Sequence, residues 1–198
     1  MELGMEKSPK DTILNSAIKL FSEKGFDATS VDEVAKDAGV NKAMIYYYFS
    51  NKEGLLNSIV RKSVNDFTSI IDKIDVSKYS SLREFIYDIV RLAVDYIDSN
   101  VEIIRIFFRE GLVYRDRIGT TIHETISLVF ENIISKVKAK FDILDNFSFV
   151  DQIIMTNLVV GVIDLRLRFW GKEEEGYSVI KSQYIDKVSS MLCNLVGG

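Results

Sequence analysis

A chain of 198 residues has room for one sizeable domain or for a small one joined to a medium one, at roughly 100–200 residues per domain, which excludes a large multidomain enzyme. Apolar residues make up 47% and charged residues 27%, the composition of a globular chain with a core rather than of a disordered or fibrous one. The net charge of −4 argues at first against nucleic acid, but residues 40–62 hold Lys42, Lys52, Arg61 and Lys62 against Glu53, a local balance of +3.

One proline and eleven glycines leave few turns, and long unbroken intervals favour helices over short strands, so the expected fold is all-α. The single Cys193 excludes an internal disulfide and a cysteine-based zinc cluster and suits a reducing compartment. The apolar run at 153–163 is broken by Thr156, Asn157 and Gly161 and cannot supply the ~20 residues that span a bilayer. Residues 1–7 offer no apolar segment behind a basic start. A cytoplasmic protein without membrane contact, metal or cofactor is expected.

Taken in chain order, Ser8-Pro9-Lys10-Asp11 offers a capping oxygen, a proline at the first helical position and an acid in the first turn. Ile13, Ala17, Leu20 and Phe21 then recur at helical spacing up to Lys24-Gly25, predicting a helix over 9–24. Ser30-Val31-Asp32-Glu33 is a capping box that opens a short helix with Val31, Val34, Ala35 and Ala38 inward, stopped by Gly39. Asn41 can cap a third helix over 42–49, and Ser50-Asn51-Lys52-Glu53 reads as another box, opening a long helix with Leu55, Leu56, Ile59, Val60, Val64, Phe67, Ile71 and Ile74 on one face. Farther on, a helix begins at Ser81. Others are expected over 101–110, 116–140, 148–169 and 178–195, with a loop at 142–147 and a polar stretch at 171–176.

Two short helices joined at Gly39, the second with exposed polar and aromatic residues, make a helix-turn-helix, which lays its second helix in the DNA major groove. Tyr46, Tyr47 and Tyr48 are consecutive and so span about 300° of a helix at 3.6 residues per turn. They cannot all be core. A phenol can donate to phosphate or pack on a sugar or thymine methyl, and Lys42 in the first turn can reach a base edge or phosphate. Lys52 stands at a helix start, where the dipole disfavours a cation and a nearby phosphate would explain it.

The run from Thr29 to Leu56, with its Gly39-Val40-Asn41-Lys42-Ala43-Met44-Ile45-Tyr46-Tyr47-Tyr48-Phe49 core and the phrase Phe49-Ser50-Asn51-Lys52-Glu53-Gly54-Leu55, resembles the DNA-binding domain of the TetR family of bacterial transcriptional regulators. The resemblance covers about residues 9–60. It implies an all-α homodimer that regulates transcription, as a repressor that responds to a ligand, with a helix-turn-helix domain over 1–50 and a helical effector-binding and dimerisation domain over 51–198. It further implies DNA contacts from Thr29, Ser30, Lys42, Ala43, Tyr46, Tyr47, Tyr48 and Lys52 on a palindromic operator. Met44 departs from the family, many members of which carry a small or hydroxyl residue there for a phosphate contact.

Beyond residue 63 the pattern is generically helical and names no ligand. A surplus of aromatics around few polar groups suggests a pocket for a small apolar or aromatic effector, lined by Phe85, Ile89, Tyr96, Phe107, Phe108, Ile122, His123, Ile126, Phe130, Asn157 and Phe169, with Arg105 and Arg109 admitting an anionic group only if they face inward. The last two helices carry more apolar surface than they can easily bury alone, and the resemblance makes them an intersubunit four-helix bundle. Leu158, Gly161, Val162, Leu165, Tyr184, Val188, Met191, Leu192 and Leu195 are the expected dimer residues, with Gly161 admitting a partner helix. An enzyme is the reading of another class, but His123 is the only histidine, which excludes or starves histidine-based triads and metal sites. An architectural DNA-binding protein that senses nothing is the second alternative, and a closed core in the C-terminal region would favour it.

Overall fold

A computed structural model describes residues 8–112, 115–141, 150, 153, 154, 157, 158, 161, 164, 166 and 174–197, with the side chains of 111–126, 174, 175, 196 and 197 outside that description. The described residues are helical throughout their regular structure. Helices α1 (Pro9–Lys24), α2 (Val31–Ala38), α3 (Lys42–Phe49) and α4 (Lys52–Asp72) are followed by a 3₁₀ turn at Val76–Lys78, then by α5 (Leu82–Ser99) and α6 (Val101–Ile106). Then come a π-helical turn at Phe107–Leu112, α7 (Arg115–Lys140) and α8 (Glu174–Gly197). Every described position from 150 to 166 is helical.

The first four helices begin and end where their capping chemistry dictates. The Ser8 hydroxyl accepts from the Asp11 amide at 3.2 Å with Pro9 at the first position, and Ser30 and Glu33 cap each other reciprocally at the start of α2. Gly39, at φ 65°, closes α2 in a conformation glycine adopts without a Cβ penalty. Its amide donates to the Lys36 carbonyl at 3.2 Å and the Val40 amide to that of Ala35 at 3.0 Å, the paired bonds of a Schellman motif. That motif accounts for an apolar residue in the turn, since Val40 folds back against the core. One boundary differs from expectation. Asn51, not Ser50, caps α4, its Oδ1 accepting from the Gly54 amide at 2.6 Å, because Ser50 has left-handed φ at 66° and terminates α3 instead.

The chain divides into two compact units, one of residues up to Val64 with Val101–Glu124, the other of Asn65–Asn100 with Thr125–Gly198. A division at residue 50 would leave the first core unfinished. Ile13, Ala17, Phe21, Val34, Ile45 and Phe49 are buried together with Leu55, Leu56, Ile59 and Val60 of α4 and Ile106 of α6, so three short helices recruit apolar surface from two more. Phe21 and Phe26 meet edge to face, centroids 5.3 Å apart. The π-helical turn adds a buried carboxylate, because Glu110, only 2% exposed, accepts from the Phe26 amide at 3.4 Å.

In the second unit α5 packs on α8, and Phe85, Ile86, Val90, Val94 and Ile97 are buried, as are Ile185, Val188 and Leu192. Polar side chains tie distant segments together. Lys136 donates to the carbonyls of Asp72 and Ile74 at the end of α4, where a cation suits the helix dipole, and Lys140 donates to those of Ser77 and Tyr79. Along α5, Asp88, Arg91, Asp95 and Asp98 form a ladder that engages Tyr79, Lys181, Tyr177 and Arg166. Burial and the Asp88 carboxylate push the Tyr79 phenol up to about 12. The last helix starts at Glu174, inside the polar stretch expected to precede it, because Glu174 and Glu175 are acids in a first turn and favour a helix N-terminus.

Candidate nucleic-acid interface

Helix α3 presents its residues on two sharply different faces. Ile45 and Phe49, four residues apart, are buried in the core, while Tyr46, Tyr47 and Tyr48 are 45%, 82% and 36% exposed. All three tyrosines therefore reach solvent, where the helical spacing alone required only one to do so. Tyr47 and Tyr48 stack edge to face with centroids 5.1 Å apart, which limits the freedom of both rings. Ala43 is exposed beside them, and Asn41 caps the helix through the Ala43 amide at 2.9 Å. Met44 is half-buried against the core, so its departure from the expected small residue is a packing choice.

The remaining expected DNA residues have different fates. Lys42, the first residue of α3, pairs with Asp32 of α2 at 2.8 Å, and that hydrogen bond raises its pKa. Lys52 lies 4.3 Å from the Phe26 ring centroid, a cation–π placement that leaves it half-buried at the start of α4. Ser30 is exposed, with its hydroxyl held by Glu33. Thr29 is a correction. It is 1% exposed, and its hydroxyl donates to the carbonyls of Gly25 and Leu20 at 2.8 and 3.3 Å, so it fastens the α1–α2 turn and presents nothing to a ligand. The Lys24 ammonium and the Ser30 amide and hydroxyl hold the Glu33 carboxyl down at about 2.

The expected pocket residues are divided between the two units. Phe85, Ile89, Tyr96 and Phe130 belong to the second unit, where Phe85 is buried between Tyr79 and Phe141 and Tyr96 packs on Phe67, centroids 5.3 Å apart. Phe107 and Phe108 belong to the first unit, Phe107 against the helix-turn-helix core and Phe108 exposed. Sequence spacing could not show this, because α6 is separated from that core by more than forty residues. Arg109 crowds Gly25, which adopts φ 91°, so it too serves the first unit. Asn157 is exposed and donates to the Ile153 carbonyl at 2.8 Å. The side chains of Ile122, His123 and Ile126 lie outside the described residues, as does Phe169.

Of the expected dimer residues, Val188 and Leu192 are buried within the single chain. At Gly161 a Cβ would collide with the Tyr184 hydroxyl of the same chain, which donates to the Leu158 carbonyl at 2.6 Å. Leu158, Gly161, Tyr184 and Leu195 are half-buried and Met191 is exposed, while Val162 and Leu165 lie outside the described residues. Val150, Ile153, Ile154, Val179 and Ile180 are exposed as well. Among the described residues no helix is long and apolar enough to cross a membrane.

A short pair of capped helices with a Schellman turn between them and an aromatic outer face on the second is a helix-turn-helix. Residues 13–59 match the family model described as bacterial regulatory proteins, tetR family. It is 38% identical over 91 residues to the biofilm operon icaADBC negative transcriptional regulator IcaR of Staphylococcus aureus strain Newman, covering 40% of this chain and 47% of that protein. It is 35% identical over 111 residues to YttP of Bacillus subtilis strain 168, covering 54% and 52%. The chain thus spans about half the length of these curated relatives. The fold extends farther. A transcriptional regulator from Aquifex aeolicus VF5 superposes with TM-score 0.71 at 20% identity over 92% of this chain and 99% of that one. The fatty acid degradation regulator FadR from Bacillus halodurans gives 0.72 at 17% identity over 94% and 95%.

Proposed function

We propose that this chain is a transcriptional repressor that reads duplex DNA with α3. The carrying observation is the tyrosine face: Tyr46, Tyr47 and Tyr48 stand exposed on a helix anchored from behind by Ile45 and Phe49. So much aromatic surface is poorly placed in water and well suited to sugars, thymine methyls and phosphate oxygens. Ser30, Lys42, Ala43 and Lys52 complete the face. The similarity to a negative regulator of an operon supports repression. The protein acts as a homodimer on a palindrome, with the exposed Val150, Ile153, Ile154, Val179, Ile180 and Met191 as its apolar contact, since a two-fold dimer places two recognition helices at matching half-sites. The aromatic core of the second unit around Phe85 and Tyr96 is the place for a small apolar effector, which would act by favouring one conformation over another.

The test is selection of duplexes from a randomised library, followed by titration of the winner. Tyr47→Ala should weaken binding by on the order of 1–3 kcal/mol while leaving the unfolding transition unchanged, as Tyr47 is 82% exposed, and the complex should sediment with two chains per duplex. Failure to enrich any sequence would favour an architectural binder, and unchanged affinity in Tyr47→Ala would remove α3 from the contact.

A further inference from the structure

All three carboxylates of α2 are committed to lysines. Glu33 meets Lys24 and Asp37 meets Lys19, each at 2.7 Å, and both lysines are on α1. Those two pairs pin α2 in place. The third pair differs, because Asp32 meets Lys42 at 2.8 Å with its own side chain 70% exposed, at the first residue of the helix that faces DNA. A bare carboxylate there repels phosphate and an exposed ion pair adds little stability, so neither affinity nor folding explains it.

The geometry around the ammonium does. Lys42 Nζ has three donors; Asp32 takes one, and the Tyr46 ring flanks the group with its centroid 5.9 Å away. The ammonium is drawn toward Asp32 and Tyr46 and still has donating capacity to spare. A lysine without these neighbours would follow the nearest phosphate, a contact that positions but carries no sequence information. The N-terminal residues of a recognition helix are the ones that reach base edges. We propose that Asp32 is a specificity-determining positioning residue, which aims Lys42 at base-edge acceptors, the guanine O6 and N7 pair above all, and withholds that ammonium from phosphates. The inference rests on the reading of α3 as the DNA-contacting helix.

Its test compares two duplexes, one selected by the wild-type protein from a randomised library and one scrambled, titrated across a range of potassium chloride. Asp32→Asn should bind the scrambled duplex about fivefold more tightly and steepen its salt dependence by about 0.9, the slope of one added phosphate contact. The selected duplex should gain far less, so that the ratio of the two affinities falls by about threefold or more. In a Lys42→Met background the same substitution should relieve repulsion on both duplexes alike and leave the ratio of the two affinities unchanged. Equal gains on both duplexes, or a fall in their affinity ratio that persists beside Lys42→Met, would overturn the proposal, because Asp32 would then not act through Lys42. A wild-type protein that binds neither duplex at any salt overturns instead the reading of α3 on which it rests.

Discussion

The two units of this chain use their polar side chains at very different ranges. In the first, the side chains that cap the helices reach only two or three residues along the chain, as Asn41 does to Ala43, Ser8 to Asp11 and Asn51 to Gly54. In the second, the deciding bonds join residues far apart: Lys181 reaches Asp95 across 86 positions and Lys136 reaches Ile74 across 62. Short-range capping fixes where each helix begins and so sets the angle at which α3 is presented. Long-range pairs fix which helix lies beside which, and leave each helix's own sequence pattern generic.

Glu110 is the place where this contrast is easiest to break, since it brings a long-range polar contact into the first unit. Its carboxylate is buried and accepts from the Phe26 amide 84 residues away. Glu110→Ala should destabilise the fold by about 1–3 kcal/mol, the usual consequence of removing a buried acceptor, and should speed hydrogen exchange at the Phe26 amide. Glu110→Gln retains an acceptor and should keep most of that protection. Equal exchange at Phe26 in all three proteins would show that the α1–α2 turn does not depend on the π-helical turn.

The same difference in range explains what could be read beforehand. Helices α1 to α3 follow from Ser8, Ser30, Gly39 and Asn41 alone, and the exposed face of α3 follows from the impossibility of burying three consecutive tyrosines. The burial of Thr29 does not follow, because its acceptors are backbone carbonyls of Leu20 and Gly25 that no residue type advertises. The pairing of Lys42 with Asp32 depends on the angle between two helices and escapes a one-dimensional pattern. Residues 101–110 read as one ordinary helix, yet the π turn at Phe107–Leu112 places Phe107, Arg109 and Glu110 on the first unit's side. The amphipathic stripe of α8 predicts that Val188 and Leu192 are buried without saying by what, and α5 is the answer.

Lys181 sharpens the comparison from the other unit. Its ammonium bridges Asp95 at 2.9 Å and Asp98 at 2.6 Å with 23% of the side chain exposed. Lys181→Met keeps the apolar stem and removes only the charge. Asp95 retains Arg91, and Asp98 retains Arg166 and Tyr177, so the loss should be on the order of 1 kcal/mol in denaturant unfolding. It should shrink as salt is raised, because a partly solvated pair is screened. A loss that does not change with salt would mean that Lys181 acts by packing.

The smallest effect concerns the α2 capping box, and it is read through pH. Glu33 accepts from the Ser30 amide at 2.8 Å and pairs with Lys24 at 2.7 Å, and these partners lower its pKa from 4.5 to about 2. A carboxyl whose folded pKa lies below its unfolded value stabilises the fold while ionised and ceases to as it takes up a proton. The contribution is therefore complete above pH 4.5 and is lost as pH falls from there toward 2. Glu33→Gln lacks this titration, so its deficit relative to the wild type should be constant near neutrality and close through that acidic window. The measurement is the difference in urea midpoint between the two proteins at a series of pH values. A difference that stays level down to pH 2 would show that the box holds α2 by shape and not by charge, and that the local ion pair adds nothing to the cap.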